Sequence, residues 1–261
     1  MKASLMLMAM VMVSGVAQAG TVCQAQSGAQ VTPLLELYTS EGCSSCPPAD
    51  RWFGRLVKST KPSELSLLAF HVDYWNSIGW PDRFSSAAYT RRQGDRVRAG
   101  GSSTVYTPQL MLASQLNLRW NNEAAVQAAL SEQHRRAASV ALHLQAVAAG
   151  ANWQVNLQAA PSHGAVAGDK LWLALFEDGV STRVRAGENA GAFLQHERVV
   201  RRLWGPWDVA GKDLGHGVVV TPPKDAKASN LGLTAFVQNS RSGDTAQSLS
   251  LSLANCAAPG S

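Results

Sequence analysis

The chain has 261 residues, 46% of them hydrophobic and 16% charged, and a formal net charge of +5 at pH 7. Its cations are spread over Arg91-Arg92, Arg135-Arg136 and Arg198 to Arg202 without the interleaved aromatics of a nucleic-acid platform, so solvated faces explain them and no nucleic-acid partner is expected. No stretch beyond the N-terminus approaches the apolar length of a membrane span, and the length allows one large domain or two small ones.

The chain opens with Lys2, an apolar run from Leu5 to Val13, and Ala17-Gln18-Ala19. A charged start, a short apolar region and an A-x-A site describe a secretory signal peptide over residues 1–19, with the mature protein starting at Gly20. The run is too soon diluted by Ser14, Gly15 and Gln18 to span a bilayer, so a periplasmic or secreted protein without a stable membrane span is expected. Taking nineteen residues and the charge of Lys2 from a chain of 261 residues and net charge +5 leaves 242 residues and +4. A lipid anchor on Cys23 is not expected, because Gly20-Thr21-Val22 lacks the Leu and small residues of a lipoprotein site.

Four cysteines are present, Cys23, Cys43, Cys46 and Cys256. In an oxidising compartment an even count implies pairing, and with the close pair set aside Cys23 and Cys256 form the natural second bridge. Closing a loop of that length is worth roughly 5 kcal/mol in the chain-entropy model. The alternative is two buried free thiols.

Val31 to Gly54 is the stretch around which the chain is organised. Leu35, Leu37 and Thr39 recur with period two as in a strand, Ser-Glu-Gly makes a turn, and Cys43-Ser44-Ser45-Cys46 opens a helix carrying Trp52, Phe53 and Leu56. A cysteine at the first turn of a helix faces unpaired N–H groups and the positive end of the dipole, which favour a thiolate. An accessible thiolate beside a resolving thiol is what thiol–disulfide exchange requires. Pro47 and Pro48 fit the first turn, where a missing N–H costs little, while the charge of Asp50 would raise the Cys43 pKa. Glu36, inside the apolar strand, reads either as a buried acceptor for the Cys46 proton or as an edge-facing carboxylate.

Lys58 to Ser63 is a polar break, and residues 65–73 read as a buried strand, giving a right-handed strand–helix–strand unit. Its end, with His71, Asp73, Tyr74 and Trp75, should lie beside Cys43. The aromatic segment Trp75 to Pro81 reads as a lid over the dithiol, and Phe84 to about Ala99 as a helix. After Gly100 to Ser103, Pro108 begins a strand and is the candidate cis-proline. A strand over Leu116 to Trp120 and a helix capped by Asn121 or Asn122 and running to Arg136 follow. From Ser139 the pattern alternates. A hairpin turning at Gly150 to Asn152 and strands at 171–177, 181–185, 199–204, 217–221, 231–238 and 248–253 suggest a sandwich-like β domain.

Strand, Cys-x-x-C helix, parallel strand, proline-led hairpin and last helix resemble the thioredoxin fold over about residues 31–137. More closely, the chain resembles a bacterial family of secreted proteins, domain of unknown function 1223, which has a thioredoxin-like domain. The shared motifs are Glu36 to Asp50, His71-Val72-Asp73-Tyr74-Trp75 with Gly79-Trp80 and Asp82, Tyr106-Thr107-Pro108-Gln109, and Gly187-Glu188-Asn189 with Val199-Val200-Arg201. Ala113-Ser114-Gln115 stands where the family pattern suggests an Asn or Gly pair. The expected organisation is a signal peptide, an α/β thioredoxin-like domain at 20–138 and a β-rich, sandwich-like domain at 139–261. The resemblance implies that Thr107 presents its backbone to a substrate held as a mixed disulfide.

The expected function is that of an exported thiol–disulfide oxidoreductase. Cys43 attacks, Cys46 resolves, Thr107 and Pro108 line the substrate, and His71 with Asp73 on the same side of a strand assist proton transfer. Its partner is a thiol or disulfide, on a protein or a small molecule, and it needs no cofactor. Two rival readings are a periplasmic Cu(I) site built from Cys43, Cys46 and His71, and a non-catalytic binding module. Gly187-Glu188-Asn189 reads as a turn. His163, His196 and His216 lack ligand spacing and receive no role.

Overall fold

The computed structural model describes residues 22–162, 166–209 and 213–256. The expected signal peptide and His163 lie outside them. Among the described residues the fold is mostly β-sheet, with fourteen strands and three α-helices, and no helix is long and apolar enough to cross a membrane.

Strand β1 (Val22–Gln26) leads to β2 (Leu34–Thr39), α1 (Pro47–Ser59), β3 (Ser66–His71) and α2 (Ala87–Ala99). Both β2 and β3 are buried along their whole length, which is why they read as apolar runs. The α2 helix begins at Ser86, whose hydroxyl caps the Ala88 N–H. The hairpin β4 (Gln109–Leu112) and β5 (Gln115–Leu118) precedes α3 (Glu123–His134), which Asn122 caps through the Ala125 N–H. The stretch 104–108 is irregular, the strand expected to begin at Pro108 starts at Gln109, and the Thr107–Pro108 bond is cis. At the hairpin turn Ala113 has φ 49°.

The second half runs β6 (Val140–Ala149), β7 (Asn152–Pro161), β8 (Asp169–Glu177), β9 (Val180–Arg183), β10 (Phe193–His196), β11 (Val199–Asp208), β12 (Leu214–Val220), β13 (Leu231–Asn239) and β14 (Thr245–Ser252). Of these, β10 had no counterpart in the sequence reading, and neither had β1.

Eight strands form one sheet in the order β14-β13-β8-β11-β3-β2-β4-β5, and β1-β6-β7-β12 form a second. In the large sheet β2 and β11 both run parallel to β3, and the other neighbours are antiparallel. The division expected at residues 138/139 therefore falls inside shared sheets. Across it β1 pairs with β6, and β11 completes the edge of β3 where the Ala69 N–H donates to the Arg198 carbonyl at 2.8 Å.

Three apolar layers hold this together. Leu35, Leu37 and Leu67 pack under α1 and α3 against Trp52, Phe53, Val126 and Leu130. The opposite face, with Tyr38, Phe70, Phe176 and Phe236, packs under α2 through Tyr89 and Val97. The far half of the large sheet packs on the four-stranded sheet through Leu142, Leu144, Val155, Leu173 and Leu233, giving a two-sheet sandwich. Cys23 and Cys256 are joined at the margin of that sandwich, with Cα atoms 5.5 Å apart and a sequence separation of 233.

Candidate functional site

Cys43 and Cys46 are joined as well, with Cα atoms 5.4 Å apart. The pair sits in the turns between β2 and α1, with Cys46 as the N-cap of α1 and Pro47 and Pro48 in its first turn. Backbone bonds fix the loop, from Cys43 N to the Ser40 carbonyl, from Cys46 N to the Cys43 carbonyl, and from Asp50 N to the Cys46 carbonyl. The resulting disulfide precedes the helix rather than occupying its first turn.

Both cysteines are fully buried, whereas Ser44 and Ser45 between them are exposed. Sequence reasoning expected an accessible Cys43. Its carbonyl, however, accepts from Asn189 Nδ2 at 3.0 Å, the same nitrogen donates to the Glu41 carbonyl at 2.9 Å, and the Ser44 N–H donates to Glu188 Oε2 at 3.2 Å. Gly187 to Asn189, read from sequence as a plain turn, thus clasps the cysteine loop from the distant half of the chain. It comes that close through two glycines. Gly79 (φ 106°) and Gly187 (φ 73°) lie against each other, and a Cβ at either would meet the facing backbone at 3.4 Å.

The aromatic segment closes a second side. Trp75 packs on Gly42, and its Nε1 donates to Thr107 Oγ1 at 2.8 Å, while Trp80 Nε1 donates to Glu41 Oε2 at 2.8 Å. Thr107 and Pro108 therefore stand next to the cysteine loop. Ser45 Oγ lies 3.4 Å from the Thr107 carbonyl oxygen and 3.4 Å from Cys43 Sγ.

Behind the disulfide lies a buried charged cluster. His71 Nδ1 and Asp82 Oδ2 are 2.6 Å apart, and the Asp82 carboxylate also accepts from the Glu41 and Phe84 N–H groups at 2.9 Å each. His196, on β10, stands between the two acids flanking the cysteines, 3.6 Å from Glu41 Oε1 and 3.7 Å from Asp50 Oδ2. The rings of His71 and His196 meet edge to face at 4.8 Å, and Phe84 packs on both. Glu41 Oε1, Asp50 Oδ2, His71 Nε2 and His196 Nε2 have no hydrogen-bond partner among the described residues.

Burial dominates the titration of this cluster and is then partly or wholly overcome. Asp50, hydrogen-bonded from Thr39 Oγ1 at 2.8 Å, keeps a raised pKa because burial outweighs the nearby imidazoles. Burial would raise Asp82 too, but the His71 charge and the three donated bonds hold it at about 2. His71, opposed by burial, is raised because Asp82 outweighs that penalty. The arrangement raises the pKa of one buried acid, a helical turn from Cys46, and lowers that of Asp82.

Other expectations fall elsewhere. Asp73 does not join His71; it receives the Thr90 hydroxyl at 2.5 Å and serves to seat α2. Among the described residues no three His, Cys, Asp or Glu side chains are placed to hold a metal ion, so the set Cys43, Cys46 and His71 is not assembled. His71 spends its Nδ1 on Asp82 instead. Glu36 faces neither Cys46 nor an edge. It is completely buried, bonded by Arg92 Nε at 3.1 Å, by Arg92 Nη2, and by Arg96 Nε at 3.0 Å. Both faces of β2 are covered, so a carboxylate there needs cations from α2. His216 stacks on Trp207 at 4.4 Å, remote from the cysteines in the sandwich. His196 was missed because β10 is only four residues long and nothing local links it to Asp50.

A crystal structure of a structural-genomics protein from Agrobacterium tumefaciens is similar to the chain, with a TM-score of 0.61, 26% identity and coverage of 86% of this chain and 96% of that one. HBP35 of Porphyromonas gingivalis is similar in fold, with a TM-score of 0.66 at 12% identity, covering 90% of this chain and 79% of that one. No curated protein matches. The profile of the family described as protein of unknown function (DUF1223) matches residues 34–238, and the chain belongs to that family.

Proposed function

We propose that the protein is a thiol–disulfide oxidoreductase of an oxidising compartment, and that its β2-to-α3 part is a thioredoxin-like unit. The fold reading is supported by the chain order and pairing there. β2 runs parallel to β3, β4 antiparallel to β2, and α1 and α3 pack on one face while α2 packs on the other. The observation that carries the function is the Cys43–Cys46 disulfide at the start of α1, with the Ser45 hydroxyl bridging from Cys43 Sγ to the Thr107 carbonyl. The presence of two disulfides fits an oxidising compartment.

In the oxidised state described here, a partner dithiol attacks Cys43 with one thiolate. A mixed disulfide forms, the Cys43–Cys46 bond breaks, and Cys46 leaves with the electron pair. The second partner thiolate then attacks its own sulfur in the mixed disulfide and releases Cys43, so that two electrons pass to the pair and the partner leaves as a disulfide. The Cys46 sulfur takes up a proton, and Asp50, buried one turn away with a raised pKa, is the group to supply it. Because both sulfurs are buried, entry requires the Trp75 segment or the 187–189 loop to yield.

The test is a glutathione redox titration read by thiol alkylation and mass spectrometry, with Cys43→Ser and Cys46→Ser variants. A reversible two-electron couple, with a mixed disulfide trapped on Cys43 in the Cys46→Ser variant, is expected. A pair that never reduces reversibly while the protein stays folded refutes the proposal and leaves a structural bridge.

A further inference from the structure

Two clefts lie away from the cysteines, one of about 980 Å³ between α2 and the strands β8, β11 and β13, and a second of about 400 Å³ beside it. They share Ser86, Tyr89, Arg201 and Arg202, so they form one continuous trough, and no cysteine lines either part. We propose that this trough is a binding site for an extended acidic peptide segment of a partner protein, with apolar side chains between its carboxylates. The inference goes beyond the redox reading and does not rest on it.

The charge balance of the walls favours an anion. Asp95 is the one acid in the lining and is paired with Arg98, while the lining residues Lys170 and Arg201 are paired with Asp208, Glu177 and Asp225 from outside it. Arg91, Arg202, Arg241 and Lys224 line it without an ion-pair partner among the described residues. Below them the polar groups are donors too. Gln238, almost fully buried, has its carbonyl oxygen taken by Arg92 Nη2 at 2.7 Å, and its amide nitrogen is left without a partner. A buried donor without an acceptor is a standing cost that an incoming carboxylate or backbone carbonyl would remove.

The floor decides what kind of anion. Trp172, half-buried and stacked on Phe236 at 6.3 Å, lies with Leu203 and Pro206 between the cationic walls. Apolar floor alternating with separated guanidinium groups suits a chain that carries carboxylates and apolar side chains in turn. A phosphate backbone would need an unbroken row of cations and several open aromatic platforms for its bases. The continuity of the two clefts favours an extended occupant over a compact one.

The experiment is fluorescence anisotropy on the full chain with a fluorescein-labelled peptide of alternating glutamate and leucine. Saturable binding is expected, weakened at least about tenfold by R91E/R202E/R241E. The variant R51E/R55E/R135E makes the same charge change on exposed arginines outside the trough and should alter affinity less than about twofold. Should the first triple variant fail to fold, R241E alone, whose guanidinium makes no polar contact among the described residues, should weaken binding about threefold. Absence of saturable binding overturns the proposal, as does equal weakening by both triple variants. Tighter binding of tripolyphosphate, of decanoate or of single-stranded oligothymidine than of the peptide also overturns it, and assigns the trough to phosphate, to an anionic amphiphile or to nucleic acid respectively.

Discussion

Replacing Asp82 by Asn keeps the size of the side chain and removes the charge that holds His71 and two backbone N–H groups behind the disulfide. The His71 ring and the donated bonds overcome burial and bring the carboxyl from 3.8 to about 2. At about 1.36 kcal/mol per pH unit this corresponds to about 2.5 kcal/mol of stability at neutral pH. Because the folded value lies below the ordinary one, the contribution is complete above the usual carboxylate range and disappears as pH falls from about 4 towards 2. An Asn would forfeit it at every pH and would turn an N–H towards other donors, so a cost of about 2–3 kcal/mol at pH 7 is expected. Urea unfolding followed by tryptophan fluorescence measures it. The gap between wild type and Asp82→Asn should shrink to about half by pH 3, where much of the wild-type contribution is already lost. A gap under about 0.5 kcal/mol at pH 7, or one that does not narrow on acidification, would refute the role given to the Asp82 charge.

Glu36→Gln leaves two buried guanidinium groups facing a neutral amide, and a loss of about 3–5 kcal/mol in chemical denaturation is expected. Leu at 36 combined with Met at 92 and 96 should recover most of it; if Glu36→Gln unfolds like wild type, the triad is not what braces α2 on the sheet. Replacing Cys23 and Cys256 by Ser frees a closure of 233 residues and should cost up to about 5 kcal/mol, and a loss below about 1 kcal/mol would mean that the ends stay associated without the bond. Asn189→Ala removes the amide that joins the Glu41 and Cys43 carbonyls, so reduction of the Cys43–Cys46 disulfide by dithiothreitol should accelerate several-fold. An unchanged rate in a quenched-flow alkylation assay would take access control away from the 187–189 loop.

Local pattern made much of the molecule legible. The apolar runs of β2 and β3, the proline-led start of α1, the Asn122 cap of α3 and the turn at Gly150 each follow from a few neighbouring residues. What needed the whole chain was hidden. Nothing near Glu36 announces Arg92 and Arg96, fifty-six and sixty residues away, so a buried ion triad looked like a possible proton acceptor. Likewise His71 had a tempting neighbour in Asp73 two positions on, but a turn after β3 sends Asp73 to Thr90 and brings Asp82 to the ring. The clasp by Glu188 and Asn189 and the position of His196 depend on β11 joining the edge of β3, a pairing between strands more than a hundred residues apart. Periodicity describes an element's faces and is silent about which distant element covers them.

The two disulfides are nested, with Cys43–Cys46 inside the span from Cys23 to Cys256. Four cysteines allow three connectivities. Pairing in order of synthesis would join Cys23 to Cys43 and strand Cys46 until the last residues were made. Assembly of the native molecule must therefore delay oxidation of Cys23 for nearly the whole chain or undo an early error, so the yield of correctly bridged protein becomes a measure of how well its surroundings reshuffle disulfides.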